Sequence, residues 1–260
     1  MLIRPAQIEA FASPDTPHFE SSSIAHIKQS FPKHFGFLKE AGARAVVDHG
    51  RTRAKQYGLA DANSVLLYID LTLLLGRGFD EDIQLRWAAS ILNDPSSTPP
   101  PPLGVIQRQP PAKAERLHEY AMAYLDEVSG VNNEHIDEAQ RRLLQEQPFV
   151  SAHSFAEFEQ EVLKRLQLIW PQKYKYLGDT TVLELIRAGV EKMRGYEMAT
   201  PTGVLFGIVA MYMLGSGFDQ DPLFSWAART LNDRGLSPAE RTQRFYEEGT
   251  QYLKSWCALS

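Results

Sequence analysis

The stretch GRGFDEDIQLRWAASILND, Gly76 to Asp94, recurs as GSGFDQDPLFSWAARTLND, Gly215 to Asp233, and this recurrence decides how the chain is read. Eleven of the nineteen aligned positions are identical, and the offset of 139 residues carries Phe79 onto Phe218, Asp80 onto Asp219, Asp82 onto Asp221 and Trp87 onto Trp226. A long match at fixed spacing reads as a duplicated unit. Gly76 and Gly215 each close an apolar helix, as C-terminal glycines do by tolerating positive φ. Phe79 and Phe218 are expected to anchor the connecting loop in the core. Asp82 and Asp221 are expected to accept amide hydrogen bonds from the start of the next helix, with Pro222 at the position where a helix tolerates proline best. Leu85, Ala88, Ala89 and Leu92, and likewise Leu223, Ala227 and Leu231, fall at three- and four-residue spacing, so each short helix turns an apolar face and its tryptophan inward. Asn93-Asp94 and Asn232-Asp233 supply terminator chemistry.

Working outward, SFPKHFGFL (Ser30–Leu38) aligns with IWPQKYKYL (Ile169–Leu177) at the same offset, so an aromatic-proline break recurs as well. The spacing predicts a helix over 19–30 ahead of the first break, then paired helices over 37–56 and 176–195. The most apolar helices follow, Asn63–Leu75 and Thr202–Leu214, and belong inside a bundle. Asp70 is the exception there, since its counterpart is Val209. A buried carboxylate demands a partner, so Asp70 is expected to hydrogen-bond a tyrosine, histidine or arginine of a neighbouring helix. Closing helices are expected over 112–128 and 238–256. The first copy carries an insertion, PSSTPPPPLGVIQRQPP (Pro95–Pro111), read as a stiff surface connector. Another amphipathic stretch opens the chain at 5–12.

These readings give an all-α protein of two similar helical units packed into one bundle-like body. Residues 1–128 form the first repeat, with its N-terminal helix and proline-rich loop 95–111. Residues 129–150 form an acidic linker helix and 151–260 the second repeat, which Ser154 and Glu157 open as a capping box.

The formal net charge is −5 over 260 residues, which argues against a protein that grips nucleic acid directly through phosphate contacts. A single cysteine, Cys257, excludes an internal disulfide and any multi-cysteine metal cluster, and fits a reducing cytoplasm. The N-terminus lacks a signal-peptide core, and no run reaches the ~20 apolar residues of a membrane helix. Between Ser129 and Glu161 seven acids face only Arg141 and Arg142, a surplus equal to the charge of the whole chain. A field of one sign steers a partner of the other. The expected partner-binding residues are therefore Glu134, Asp137, Glu138, Glu157, Glu159 and Glu161, together with the loop acids Asp80 and Glu81.

Catalytic signatures are missing from the sequence. It has no glycine-rich phosphate loop, no HExxH, no nucleophile elbow and no zinc-binding cysteine-histidine spacing. GFDED and GFDQD lack the alternating donors and distal glutamate of a calcium loop. The expectation is no catalytic residue, no metal and no cofactor.

Taken together, IRPAQIEAF (Ile3–Phe11), FPKHFGFLKEAG (Phe31–Gly42), the YGL turn at 57–59, LLYIDLTLLLGRGFD (Leu66–Asp80) and DPLFSWA (Asp221–Ala227) resemble a group of helical bacterial proteins encoded beside type VI secretion effectors and their spike proteins. The resemblance implies a cytoplasmic accessory of a secreted toxin. That means an immunity protein that binds and neutralises its cognate effector, or an adaptor or chaperone that loads it. It transfers no catalytic residue, and DIQLRWA in place of DPLFSWA marks where the first copy departs from the pattern.

Overall fold

The computed structural model describes residues 14–95, 112–145, 154–198 and 200–258. The amphipathic start at 5–12 and the proline-rich stretch beyond Pro95 lie outside the described residues. Among the described residues every regular element is helical. The chain is all-α, with α1 (Pro17–Ser30), α2 (Pro32–Gln56), α3 (Ala62–Leu75), α4 (Arg86–Leu92), α5 (Lys113–Ser129), α6 (Glu134–Gln145), α7 (Phe155–Ile169), α8 (Pro171–Gly195), α9 (Pro201–Leu214), α10 (Ser225–Leu231) and α11 (Pro238–Ala258). None of these helices is long and apolar enough to cross a membrane.

The boundaries of α2, α3 and α4 recur in α8, α9 and α10 at the 139-residue offset, and the 3₁₀ turn Ile83–Leu85 recurs as Pro222–Phe224. The causes are local and shared. Phe31 and Trp170 both leave the helical region, φ −128 and −138, immediately before a proline that starts the next helix. Proline is tolerated there because its missing N–H would be unsatisfied in any case. Asn93 and Asn232 each fold back to a carbonyl four residues earlier, Ala89 and Ala228, at 2.8 Å.

Contacts divide the chain into two compact units, Met1–Leu74 with Leu85–Met122, and Leu75–Gln84 with Ala123–Ser260. In the first unit α2 lies against α3 at a glycine: a Cβ on Gly50 would come within 2.5 Å of Ile69 Cγ1. The corresponding approach in the second unit is Gly189 to Ile208 Cγ1, also 2.5 Å. Cations fasten the later helices in each unit. Lys113 Nζ donates to the carbonyls of Tyr57 and Leu92 at 3.0 and 2.8 Å, and Arg116 pairs with Asp94 at 2.6 Å. In the second unit Arg241 donates to the carbonyls of Tyr196 and Leu236, and Arg244 pairs with Asp233 at 3.2 Å.

Phe79 and Phe218 are fully buried, as their role as loop anchors requires, and each stabilises by ~2–3 kcal/mol. Trp87 and Trp226 are only half-buried, against the expectation of full burial. Trp87 stacks on the exposed Tyr120, with centroids 6.1 Å apart, while Trp226 leans on Phe245 at 5.2 Å and Tyr252 at 6.2 Å. The inward stripe is held by Ala88, Ile91 and Leu92, and by Ala227, Thr230 and Leu231, and each tryptophan, one residue before it, sits at the edge of that stripe.

Candidate functional site

The predicted acids separate into three groups. Glu134, Asp137, Glu157 and Glu81 lie on the surface. Glu138 is held by Arg142, Glu161 by Arg165 at 2.9 Å, and Glu159 by Arg187 at 2.7 Å. Asp80 is only 1 % exposed, so its carboxylate belongs to the interior and cannot meet a partner. The reason is Phe79, whose buried ring draws the next residue in with it. The equivalent Asp219 is buried too, ion-paired to Lys192 at 2.6 Å and accepting from the Tyr196 hydroxyl at 2.7 Å.

A second polar cluster, inside the second unit, joins the two glycine-phenylalanine loops. Asp82 Oδ1 accepts from the Gln84 amide at 2.9 Å, and Asp221 Oδ1 from the Leu223 amide at 2.9 Å. Both are the caps expected from sequence. The remaining oxygens cross over: Asp82 Oδ2 accepts from the Ser216 amide at 2.7 Å, and Asp221 Oδ2 from the Arg77 amide at 3.0 Å. Ser216 and Arg77 are themselves 139 apart, so the exchange is reciprocal. Backbones touch here, since a Cβ on Gly217 would sit 2.1 Å from the Arg77 carbonyl oxygen. Burial pushes Asp221 above the usual carboxylate range, and the amides of Leu223 and Arg77 pull it back. Burial together with the charge of Asp82 raises the Tyr124 phenol, and burial with Asp221 raises Tyr252.

Two corners hold further ionisable groups that are half-buried or buried. In the first unit His26 Nε2 lies 2.9 and 3.1 Å from the two oxygens of Asp70, so the polar residue of α3 has the histidine partner it needs. Ser30 Oγ reaches His26 Nδ1 at 3.4 Å, and Phe31 meets both His26 and His34 edge-on. Desolvation raises Asp70, with His26 opposing. Desolvation also holds His34 down to about 4, against a hydrogen bond to the Leu73 carbonyl. In the second unit Lys173, 139 positions after His34, donates to the Tyr212 carbonyl at 2.5 Å and lies over the rings of Trp170 and Tyr212 at 4.9 and 5.2 Å. Its burial lowers the ammonium to about 8, with Asp82 opposing. The aromatic-proline breaks and Asp70 marked these corners in the sequence, but His26, His34 and Lys173 did not stand out, although the alignment of His34 with Lys173 at the 139-residue offset was the available signal. Ser30, His26 and Asp70 form a hydrogen-bonded chain between α1 and α3, in which the half-buried His26–Asp70 pair has both ring nitrogens of the histidine occupied. Among the described residues no group of three histidine, cysteine or carboxylate side chains is placed to hold a metal ion.

No family model matches this chain, and no curated protein or solved structure does.

Proposed function

We propose that this chain is a non-enzymatic binding protein formed by internal duplication, and that it acts in the cytoplasm as an immunity protein against a type VI secretion toxin. The duplication reading is supported by helix boundaries that recur at one offset and by the reciprocal bonds of Asp82 and Asp221. Independent sequences would have no reason to place two capping carboxylates so that each closes the other's loop. The observation that carries the binding reading is the exposure of Glu134 and Asp137 on α6 and of Glu157 on α7, in the segment where the acid surplus of the chain collects. Exposed carboxylates gain little for the fold from the contacts they make, and they raise both the on-rate and the selectivity for a basic partner. The resemblance of its motifs to those of helical proteins encoded beside type VI effectors is what points this reading to a cognate toxin as the partner.

The test is binding between the purified chain and the product of the toxin gene adjacent to its own. A stoichiometric complex that abolishes toxicity on co-expression is expected. Its affinity should fall as salt rises, and fall more than threefold when Glu134, Asp137 and Glu138 are changed to lysine. A complex with a non-toxic segment or a spike protein would replace immunity by effector loading. No complex at all would remove both.

A further inference from the structure

Ser30, His26 and Asp70 stand together only in the first copy. At the 139-residue offset their places are taken by Ile169, Arg165 and Val209, so the second copy closes the same corner with none of the three. A half-buried carboxylate accounts for the histidine, since Asp70 needs a partner. It does not account for the serine: the His26 and Asp70 side chains are each 16 % exposed, and water can serve a ring nitrogen at such a site. The hydroxyl of Ser30 is therefore more than the fold requires.

The order of the chain of hydrogen bonds fixes where its protons lie. An ionised carboxylate only accepts, so His26 Nε2, 2.9 and 3.1 Å from the Asp70 oxygens, carries the ring hydrogen and donates it. Nδ1 then presents its lone pair, and Ser30 Oγ at 3.4 Å is the hydroxyl that donates to it. A hydroxyl on one ring nitrogen, with a carboxylate holding the other, is the arrangement that activates serine as a nucleophile. Two neighbours add to it. α2 begins two residues after Ser30 with no side-chain cap and no acid in its first turn, so the positive end of its dipole adjoins the hydroxyl and favours the negative charge that grows on an attacked carbonyl oxygen. Leu74, 41 % exposed, lies one turn after Asp70 on the same face of α3, and Phe31 meets His26 edge-on with centroids 6.1 Å apart, which gives the corner apolar borders.

We propose that Ser30 is an activated-serine acceptor site, which takes an acyl group from an activated ester with an apolar acyl chain. Ser30 Oγ attacks the carbonyl carbon, and its proton passes to His26 Nδ1. The tetrahedral intermediate then expels the alkoxide of the ester, which leaves with that proton as the alcohol, so the products are acyl-Ser30 and one alcohol. Asp70 is a positioning residue that holds the tautomer of His26. The reaction modifies the chain once and is not a turnover, so it stands beside the binding reading and does not rest on it.

The probe is an alkyl fluorophosphonate, which records the same attack: an Oγ–P bond forms, the P–F bond breaks and hydrogen fluoride leaves. The full chain is labelled and digested, and mass spectrometry locates the modified serines. Ser21, exposed on the same helix with its hydroxyl on the Pro17 and His18 carbonyls, is the reference inside each molecule. Ser30 is expected to label about a hundredfold faster than Ser21, the ordinary gain from a positioned general base. His26→Gln should bring the two rates together. The amide of Asp70→Asn can donate to Nε2 and so move the ring hydrogen to Nδ1. Nitrogen-15 NMR should show that change of tautomer together with the loss of Ser30 labelling, while unchanged amide resonances away from the corner show that the variant is folded. Equal labelling of Ser30 and Ser21 in the unmodified chain would overturn the assignment. So would undiminished labelling of Ser30 in His26→Gln, or in an Asp70→Asn chain whose tautomer has changed.

Discussion

The α1–α2 corner and the α7–α8 corner share a backbone and bury different chemistry. Each ends one helix at an aromatic residue with φ near −130, restarts at proline, and sends the side chain two residues after that proline to a carbonyl of the apolar helix. The first corner uses His34 on Leu73 and adds His26 with Asp70. The second uses Lys173 on Tyr212 between aromatic faces, and Val209 stands where Asp70 would be. Backbone geometry therefore persists when a buried base changes from imidazole to ammonium, because the constraint is the carbonyl at the helix end and either donor satisfies it. What differs is the pH at which each corner strains the fold.

The place where the two regions agree most closely is the crossed pair of capping carboxylates, and breaking it should give the largest effect. Asp82→Ala removes the acceptor for the Gln84 and Ser216 amides and for the Ser216 hydroxyl at 2.7 Å. Asp221→Ala removes the acceptor for Leu223 and Arg77. Stranding two or more part-buried donors costs about 4 kcal/mol, with Asp82→Ala the more severe. The asparagine variants keep one acceptor oxygen and should lose about a third as much. Urea denaturation of the four variants measures this, and alanine variants within about 1 kcal/mol of wild type would show that the crossed bonds contribute little.

The corners themselves should separate by pH. His34 has a folded pKa near 4 against 6.5 unfolded, so the unfolded chain binds the proton first as pH falls. Stability is lost on that account between pH 6.5 and 4. Lys173 has a folded value near 8 against 10.5, so its penalty is complete below pH 8 and is relieved as pH rises toward 10.5. Each shift corresponds to about 3 kcal/mol at most. Asp70, raised by burial, works in the opposite direction in the acid window, so the readout is a difference between variant and wild type. His34→Leu should flatten the stability curve only on the acid side and Lys173→Met only on the alkaline side. Identical curves for wild type and both variants would mean that neither base is buried in solution.

Much of this comparison was legible in the sequence because it is written in short-range signals. Glycine, proline, the Asx caps and the apolar runs each act within a few residues, so helix ends at Ser30, Leu75, Leu92 and Leu214 followed from them. Asp70's need for a partner was also legible, since it follows from burial alone. Its choice of His26 was not, because 44 positions separate them and only tertiary packing decides which neighbour is in reach. The same limit hid the second role of Asp82 and Asp221: a cap is a local event, whereas the bond to Ser216 spans 134 residues. Exposure misled at Asp80 for a related reason. A charged residue in a polar loop reads as solvated unless the register fixed by its buried neighbour is known. The surface acids Glu134 and Asp137 could be named from charge counting, but the exposure of Val131 and Leu168 could not, since a valine in a loop and a leucine in an amphipathic helix carry no sign of being left in water.

The smallest expected effect concerns the bend each long helix makes before its apolar helix begins to pack. In α8 the bend falls at Gly178, φ 72 and ψ 162, and in α2 at Lys39, φ 54 and ψ −172. That region of backbone space is open to glycine and costs other residues ~1–3 kcal/mol. Lys39 therefore stores strain that Gly178 does not. Lys39→Gly should relieve it, less the ~1 kcal/mol by which glycine's greater freedom favours the unfolded chain, for a net gain of about 1 kcal/mol. Gly178→Lys should lose about 2 kcal/mol, since it imports the strain and returns only part of it through the unfolded state. A pair of thermal or urea unfolding curves checks both signs. If Lys39→Gly instead destabilises, the exposed lysine contributes more to the native state than its backbone costs, and the bend in α2 is maintained by the side chain and not merely tolerated.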